Sequence, residues 1–286
     1  MACGRILWVI RSTTPLFEAH QGGSFFMARE KRIFQKQSLS VDDQIHLLKK
    51  RGLHIPDAER AAHCLQFIGY YRLSGYARFY YDDPTLIEPQ FKPNTHFEKI
   101  LELYTFDREL RLLINGAVER IEVAIRSCIS NILSCKYGAH WYMKKNRFNE
   151  KFRFDDFMWK IRADTGRDAR PGTMTAQKRE DIFQHYYNCY DTPELPPSWM
   201  VAEVLSFGSW SLIFDCLAQK QDKKQIADSF GLHPQVLQSW LHSLSFLRNL
   251  CAHHARIWNR HFKIAPIEMK KYQNHFKPNY LFYAQE

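Results

Sequence analysis

The chain has 286 residues, 45% of them hydrophobic, with 40 lysines and arginines against 30 aspartates and glutamates and a formal net charge of +10. That apolar content suffices for a sizeable core and excludes a disordered or low-complexity chain, while the positive balance favours a polyanionic partner, nucleic acid first, over a merely soluble basic surface. Seven cysteines, an odd number without a Cys-x-x-Cys pair, argue against both a disulfide framework and a zinc ribbon and predict reduced thiols in the cytoplasm.

Residues 1–26 differ in character from the rest of the chain. The apolar run Ile6–Ile10 is too short for a signal-peptide core and far too short to cross a membrane. These residues are expected to be a poorly ordered extension, or to precede a natural start at Met27, which opens a basic segment over 27–39. Ser40 is positioned as an N-cap, with Asp42 and Asp43 in the first turn and Lys49-Lys50-Arg51-Gly52 closing the helix. Asp57 is placed to cap a second helix. Between Phe67 and Tyr81 five tyrosines and two arginines, Arg72 and Arg78, are crowded together. Arg72 and Tyr76 are candidates for stacking on bases and holding phosphates; a core-facing helix with amphipathic tyrosines is the alternative.

Pro84, Pro89 and Pro93 predict a loop. From Phe97 to Leu133 apolar residues recur every three or four positions (Phe97, Leu101, Tyr104, Leu110, Ile114, Ala117, Ile121, Ala124, Cys128, Ile132), the pattern of one long amphipathic helix with a kink expected at Gly116. Arg111 and Arg120 are charged residues of this helix that could reach a phosphate, although such residues usually form a solvated face. Between Lys144 and Arg179 eleven lysines and arginines face five acidic residues, with aromatics interleaved. Lys144, Lys145 and Arg147 are the RNA-backbone candidates there, and aromatics serving the core are the competing reading. A mobile loop is expected over 164–172. Ser198 is placed to cap a helix that runs to Gly208, and a short helix closed by Gly231 comes after it.

The stretch Ser245–Arg260 has neither glycine nor proline and reads as one helix. At about 100° per residue, Leu244, Leu247, Leu250, Cys251, His254 and Trp258 share an apolar arc, which gives His254 a structural place. Arg248, Asn249, His253, Arg256, Asn259 and Arg260 share the opposite one. This polar arc offers an imidazole that exchanges a proton near neutral pH and guanidinium groups that grip a phosphate by two hydrogen bonds. No carboxylate lies between Ser245 and Arg260, so nothing local neutralises it, and the matching substrate is a phosphodiester. Cys251, His253 and His254 point apart on a helix, so no metal is expected there, and no cofactor is implied.

The spacing Arg248-Asn249-x-x-x-His253 resembles the signature of the HEPN superfamily. Alone it is weak, since Arg179 to His185 and Arg256 to His261 satisfy a similar spacing. Extended through Trp258-Asn259, however, it resembles the C-terminal motif of the Abi-like abortive-infection family of bacterial phage-defence proteins, of the AbiD/AbiF type. Three further strings resemble the same family in the same order. They are Ile68-Gly69-Tyr70-Tyr71-Arg72-Leu73-Ser74-Gly75-Tyr76; the pair Tyr104-x-Phe106-Asp107-Arg108-x-Leu110-Arg111 and Glu119-Arg120-Ile121-Glu122; and Pro196-Pro197-Ser198-Trp199-x-x-x-Glu203-x-x-Ser206-Phe207-Gly208.

The resemblance covers roughly residues 40–262. It implies an all-α, HEPN-like helical bundle with additional helices, one domain over 40–270 and a tail over 271–286. It also implies metal-independent cleavage of RNA, with His253 as general acid or base, Arg248 stabilising charge on the phosphate and Asn249 orienting His253 or the substrate. Arg256 and Arg260 are the neighbouring candidates for RNA contact. HEPN sites are typically shared between protomers, so a homodimer through the motif helix is expected, with an antitoxin protein or small RNA as a further partner. The alternative function is a non-catalytic RNA-binding protein that holds a structured regulatory RNA.

Overall fold

The computed structural model describes residues 37–86, 88–168, 181–262 and 264–267. The expected extension over 1–26, most of the basic 27–39 segment, the end of the 164–172 loop and the 271–286 tail lie outside the described residues.

The described chain is all-α. Its helices are α1 (Val41–Lys50), α2 (Ala58–Cys64), α3 (Tyr70–Ala77), α4 (Phe97–Tyr137), α5 (Phe154–Asp164), α6 (Asp181–Cys189), α7 (Ser198–Val201), α8 (Phe207–Cys216), α9 (Lys220–Asp228) and α10 (Pro234–Ala252). A π-helical turn, Leu65–Gly69, joins α2 to α3. Extended backbone pairs only at isolated bridges among the described residues, such as Tyr81 with Phe91. None of these helices is long and apolar enough to cross a membrane.

Local chemistry explains the ends of the early helices. Ser40 Oγ accepts from the Asp43 backbone N–H at 3.1 Å, and Asp57 Oδ1 accepts from Arg60 N–H at 2.8 Å. Helix α1 closes on Arg51, after which Gly52 takes φ +87°, a conformation a glycine adopts without steric cost. The loop after α3 begins with a 3-10 turn, Arg78–Tyr80. Helix α9 ends short of Gly231, which has φ +63°.

Contacts sort the chain into two compact units. One holds the described residues up to Leu112 together with Arg256–Arg260; the other holds Leu113–Ala255 and the described residues from His261 onward. The first is built on a cluster that includes Ile45, Leu48, Leu65, Leu73, Phe97 and Ile100. In the second, α10 packs against α8 and α9. Helix α8 contributes buried Trp210, Ile213 and Phe214, and α10 contributes Leu237, Leu241, Leu244 and Leu247.

Helix α4 runs through Gly116 as α-helix. Its buried stripe follows the expected one as far as Ile114 and then shifts by one position, to Val118, Ile125, Ile129 and Leu133. Two apolar rows lie side by side there. The row expected to be the core, Ala117, Ile121, Cys128 and Ile132, is only half-buried, and Ala124 is exposed. The helix expected from Ser198 to Gly208 is instead two. Ser206 Oγ accepts from Ser209 N–H and starts α8 anew, which places Gly208 in a first turn and not at an end.

The first unit contains a fully buried carboxylate, that of Asp107. Removing such a group from water is costly unless charges and hydrogen bonds replace the solvent. Asp107 Oδ2 accepts from Tyr76 Oη at 2.6 Å and from the guanidinium of Arg111, one turn further along α4. Its Oδ1 accepts the backbone N–H groups of Ile257 and Trp258 at 3.1 and 2.7 Å. Segment 256–260 is thereby fastened to α4. Trp258 packs edge-on against Phe79 with ring centroids 4.6 Å apart.

Replacing Asp107 with alanine takes from the buried Arg111 the carboxylate with which it pairs. Urea unfolding at neutral pH should show a loss of about 3–5 kcal/mol, partly recovered when Arg111 is changed to methionine in the same chain. Burial, and after it the bond to Asp107, pushes the Tyr76 hydroxyl up to about 12 from an ordinary value of about 10. A group raised on folding stabilises fully below its unfolded value and ceases to do so as pH passes its folded one. The denaturation midpoint should therefore fall between about pH 10 and 12, and less steeply in Tyr76→Phe.

Candidate functional site

Helix α10 begins with His233 as N-cap, its imidazole accepting from Gln235 N–H, and Pro234 in the first turn. Leu237, Leu241, Leu244, Leu247 and Cys251 are its buried residues. Arg248 is half-buried and Asn249 exposed. The two are joined, Arg248 Nη1 donating to Asn249 Oδ1 at 3.3 Å.

The expected single helix through Arg260 does not form. It stops at Ala252, with His253 as C-cap. His254 then takes φ +55°, the left-handed region. His254 N–H donates to Cys251 O at 3.0 Å, and Ala255 N–H donates to Leu250 O at 2.9 Å. These bonds form a Schellman closure, with a histidine where a glycine usually stands. Both His253 and His254 are exposed, so His254 is not the packed core residue that helical periodicity predicts. Arg256, Asn259 and Arg260 leave the face they were expected to share with His253, and Trp258 leaves the apolar arc.

Arg256 is put to a different use. Its guanidinium lies 5.0 Å from the Phe79 ring centroid and donates to the carbonyls of Trp258 and Asn259 at 2.8 and 3.1 Å. Burial lowers its pKa from the ordinary arginine value. Arg260 donates to Arg256 O at 3.3 Å. Arg111 and Tyr76, expected near phosphates or bases, are buried around Asp107. These residues stabilise the segment that comes after the motif, and two of them are closed to solvent.

The remaining candidates are surface residues of varied setting. Arg72, Arg120, Lys144 and Lys145 are exposed. Arg147 is half-buried, its guanidinium 3.6 Å from the Tyr137 ring centroid. The aromatics interleaved with these cations mostly serve the core: Trp141, Tyr142, Phe148, Phe152 and Phe157 are buried, Phe148 and Phe152 stack at 4.1 Å, and Trp159 stands 70% exposed. Among the described residues no three histidine, cysteine or acidic side chains gather as metal ligands.

Glu122 is the site residue that sequence reasoning missed. From the middle of α4 its Oε2 lies 3.5 Å from Arg248 Nε. The positive face expected to lack a counter-charge therefore has one, supplied from 126 positions away in the chain. The visible signal was Glu122 itself, within the string Glu119-Arg120-Ile121-Glu122. The chemical capacity of the arrangement lies in its parts: a guanidinium braced by two oxygens, an exposed amide, and an exposed imidazole at the end of the same helix.

The model of one protein family, described as Abi-like protein, matches residues 63–259. No curated protein and no solved structure matches the chain.

The left-handed His254 sets a test of the helix end. Valine is disfavoured at positive φ and glycine is not, and both substitutions delete the imidazole. Thermal unfolding should place His254→Val below His254→Gly by about 1–2 kcal/mol.

Proposed function

The chain belongs to the Abi-like protein family, and so to the abortive-infection proteins of phage defence, and from that membership we propose that it is a metal-independent endoribonuclease of the HEPN kind and AbiD/AbiF type, cleaving RNA in the cytoplasm. The observation that carries this reading is the joined pair Arg248 and Asn249 on the last turns of α10, with the exposed His253 closing that helix. Phosphodiester cleavage by an internal ribose needs a proton taken from the 2′-hydroxyl, charge stabilised on the phosphate oxygens, and a proton returned to the leaving 5′-oxygen. His253 carries out a proton transfer, the Arg248 guanidinium neutralises the developing charge, and Asn249 orients His253 or the substrate. The products are a 2′,3′-cyclic phosphate and a 5′-hydroxyl end.

One imidazole serves poorly as both acid and base in a single turnover. A second protomer presenting its own α10 supplies the other, so the active species is a homodimer in this proposal, restrained by an antitoxin protein or small RNA. The exposed Lys144 and Lys145, with Arg120 and Arg72, provide positive charge for RNA beyond the scissile bond. The second reading, an RNA-binding protein that holds a structured regulatory RNA without cutting it, is favoured by those same lysines and by Trp159 standing exposed.

Purified protein with excess EDTA should cut transfer RNA or mixed cellular RNA into fragments ending in cyclic phosphate. His253→Ala and Arg248→Ala should each lower the rate by about 10²- to 10⁴-fold with unchanged circular dichroism. Full activity in His253→Ala would sink the mechanism. Intact RNA that is nevertheless retarded on a gel by the native protein would establish the binding protein instead.

A further inference from the structure

Helix α4 carries Glu122, Arg126, Ser130 and Ser134 at successive four-residue steps, which keeps them toward one side of the helix. Each has a partner within the unit that holds the motif helix. Ser130 and Ser134 hydroxyls bond Ser198 Oγ at 3.0 and 2.7 Å. Arg126 pairs with Glu203 at 2.9 Å. Glu122 meets Arg248. Glu122 is therefore the one among these four that touches the candidate chemistry.

We propose that Glu122 is a positioning residue for the phosphate grip: its carboxylate holds the Nε edge of Arg248 while Asn249 holds Nη1, fixing the guanidinium so that its outer end meets a phosphodiester. This rests on the ribonuclease reading of the same site. The geometry supports positioning over simple neutralisation. A carboxylate that competed for the whole guanidinium would approach fork to fork, through two short parallel hydrogen bonds. Glu122 instead approaches at 3.5 Å, on the Nε edge. Glu122 forms an ion pair on the Nε side, and the hydrogen bond to Asn249 is made from Nη1. The Nη1/Nη2 end still offers two parallel hydrogen bonds to phosphate oxygens.

Positioning is also where the burial of the pair matters. The side chain of Glu122 is 14% exposed and that of Arg248 35%, so the carboxylate is the more buried of the two. A long arginine side chain has many rotamers, and each one removed in advance is an ordering cost that the transition state does not meet. The carboxylate has the opposite effect on ground-state binding, because it repels the incoming phosphate. Glu122 thus raises the rate while lowering affinity.

That opposition separates positioning from support of the fold. Cleavage kinetics should be measured for the native protein, Glu122→Ala and Glu122→Gln, with binding measured on a 2′-O-methyl RNA that cannot be cut. Glu122→Ala should lower kcat by about 10- to 100-fold while binding the uncut RNA as tightly as the native protein or several-fold tighter. Glu122→Gln keeps an acceptor for Nε and should recover most of the rate. In Arg248→Ala, the further change Glu122→Ala should cost nothing more. A native kcat in Glu122→Ala, or equal losses of rate in both Glu122 variants tracking a lowered melting temperature, would overturn the assignment. RNA left intact by the native protein would overturn the ribonuclease reading itself and this assignment with it. Cleavage by the native protein that is indifferent to Glu122 would overturn the assignment alone.

Discussion

The buried carboxylate of Asp107 is the constraint on which the first unit depends. A carboxylate without solvent needs donors on every side, and these come from its own helix and from two distant parts of the chain: Arg111 one turn along α4, Tyr76 at the end of α3, and the backbone of Ile257 and Trp258. Each part lies in a string that resembles the Abi-like family. The strings therefore have a common physical reason that is not catalysis. Tyrosine reaches Oδ2 with a hydroxyl, arginine supplies the counter-charge within a buried setting, and a turn of backbone presents two N–H groups to Oδ1. Removing one partner strands the others, because each gives up its water only in exchange for the rest.

A second set of interactions does the corresponding work along the later half of α4. There the side opposite in character to the buried stripe of Val118, Ile125, Ile129 and Leu133 is a column of short polar groups and ions. Ser198, which sequence chemistry assigns to a helix cap, is fully buried and bonds two serines of α4, while the N-cap position of its helix falls to Pro197. Glu203, four residues after Trp199, meets Arg126. The string from Pro196 to Gly208 is thus accounted for by its fit to α4 and by the Ser206 cap that starts α8.

What was legible in the sequence was what depends on near neighbours. The caps at Ser40 and Asp57, the prolines of the loop before Phe97, the length of α4 and the apolar row of α10 are all set within a few residues. What was not legible depends on partners far along the chain. Periodicity on α4 admits two adjacent apolar rows, and only packing selects Ile125 and Ile129 over Ala124 and Cys128. Nothing local marks the helix end at Ala252, since no glycine or proline stands there. His254 turns left-handed, and the next residues are claimed by Asp107. The ion pair of Glu122 with Arg248 leaves no periodic trace at all.

That helix end has a consequence for how the motif divides. Read as one continuous helix, the stretch from Arg248 to Arg260 would place its cationic and titratable side chains on one arc, and all would be equal candidates for phosphate. The Schellman turn at His253 and His254 cuts it in two. Beyond the turn, Arg256 Nη1 donates to the carbonyls of Trp258 and Asn259, and Ile257 and Trp258 commit their N–H groups to Asp107. Before the turn, Arg248 and Asn249 are bonded to each other beside an exposed imidazole. Interactions that satisfy a fold consume donors, and groups left accessible are those a substrate can use. In the proposed mechanism the part of the motif that acts is therefore the short one, Arg248, Asn249 and His253, with Glu122 paired to the arginine.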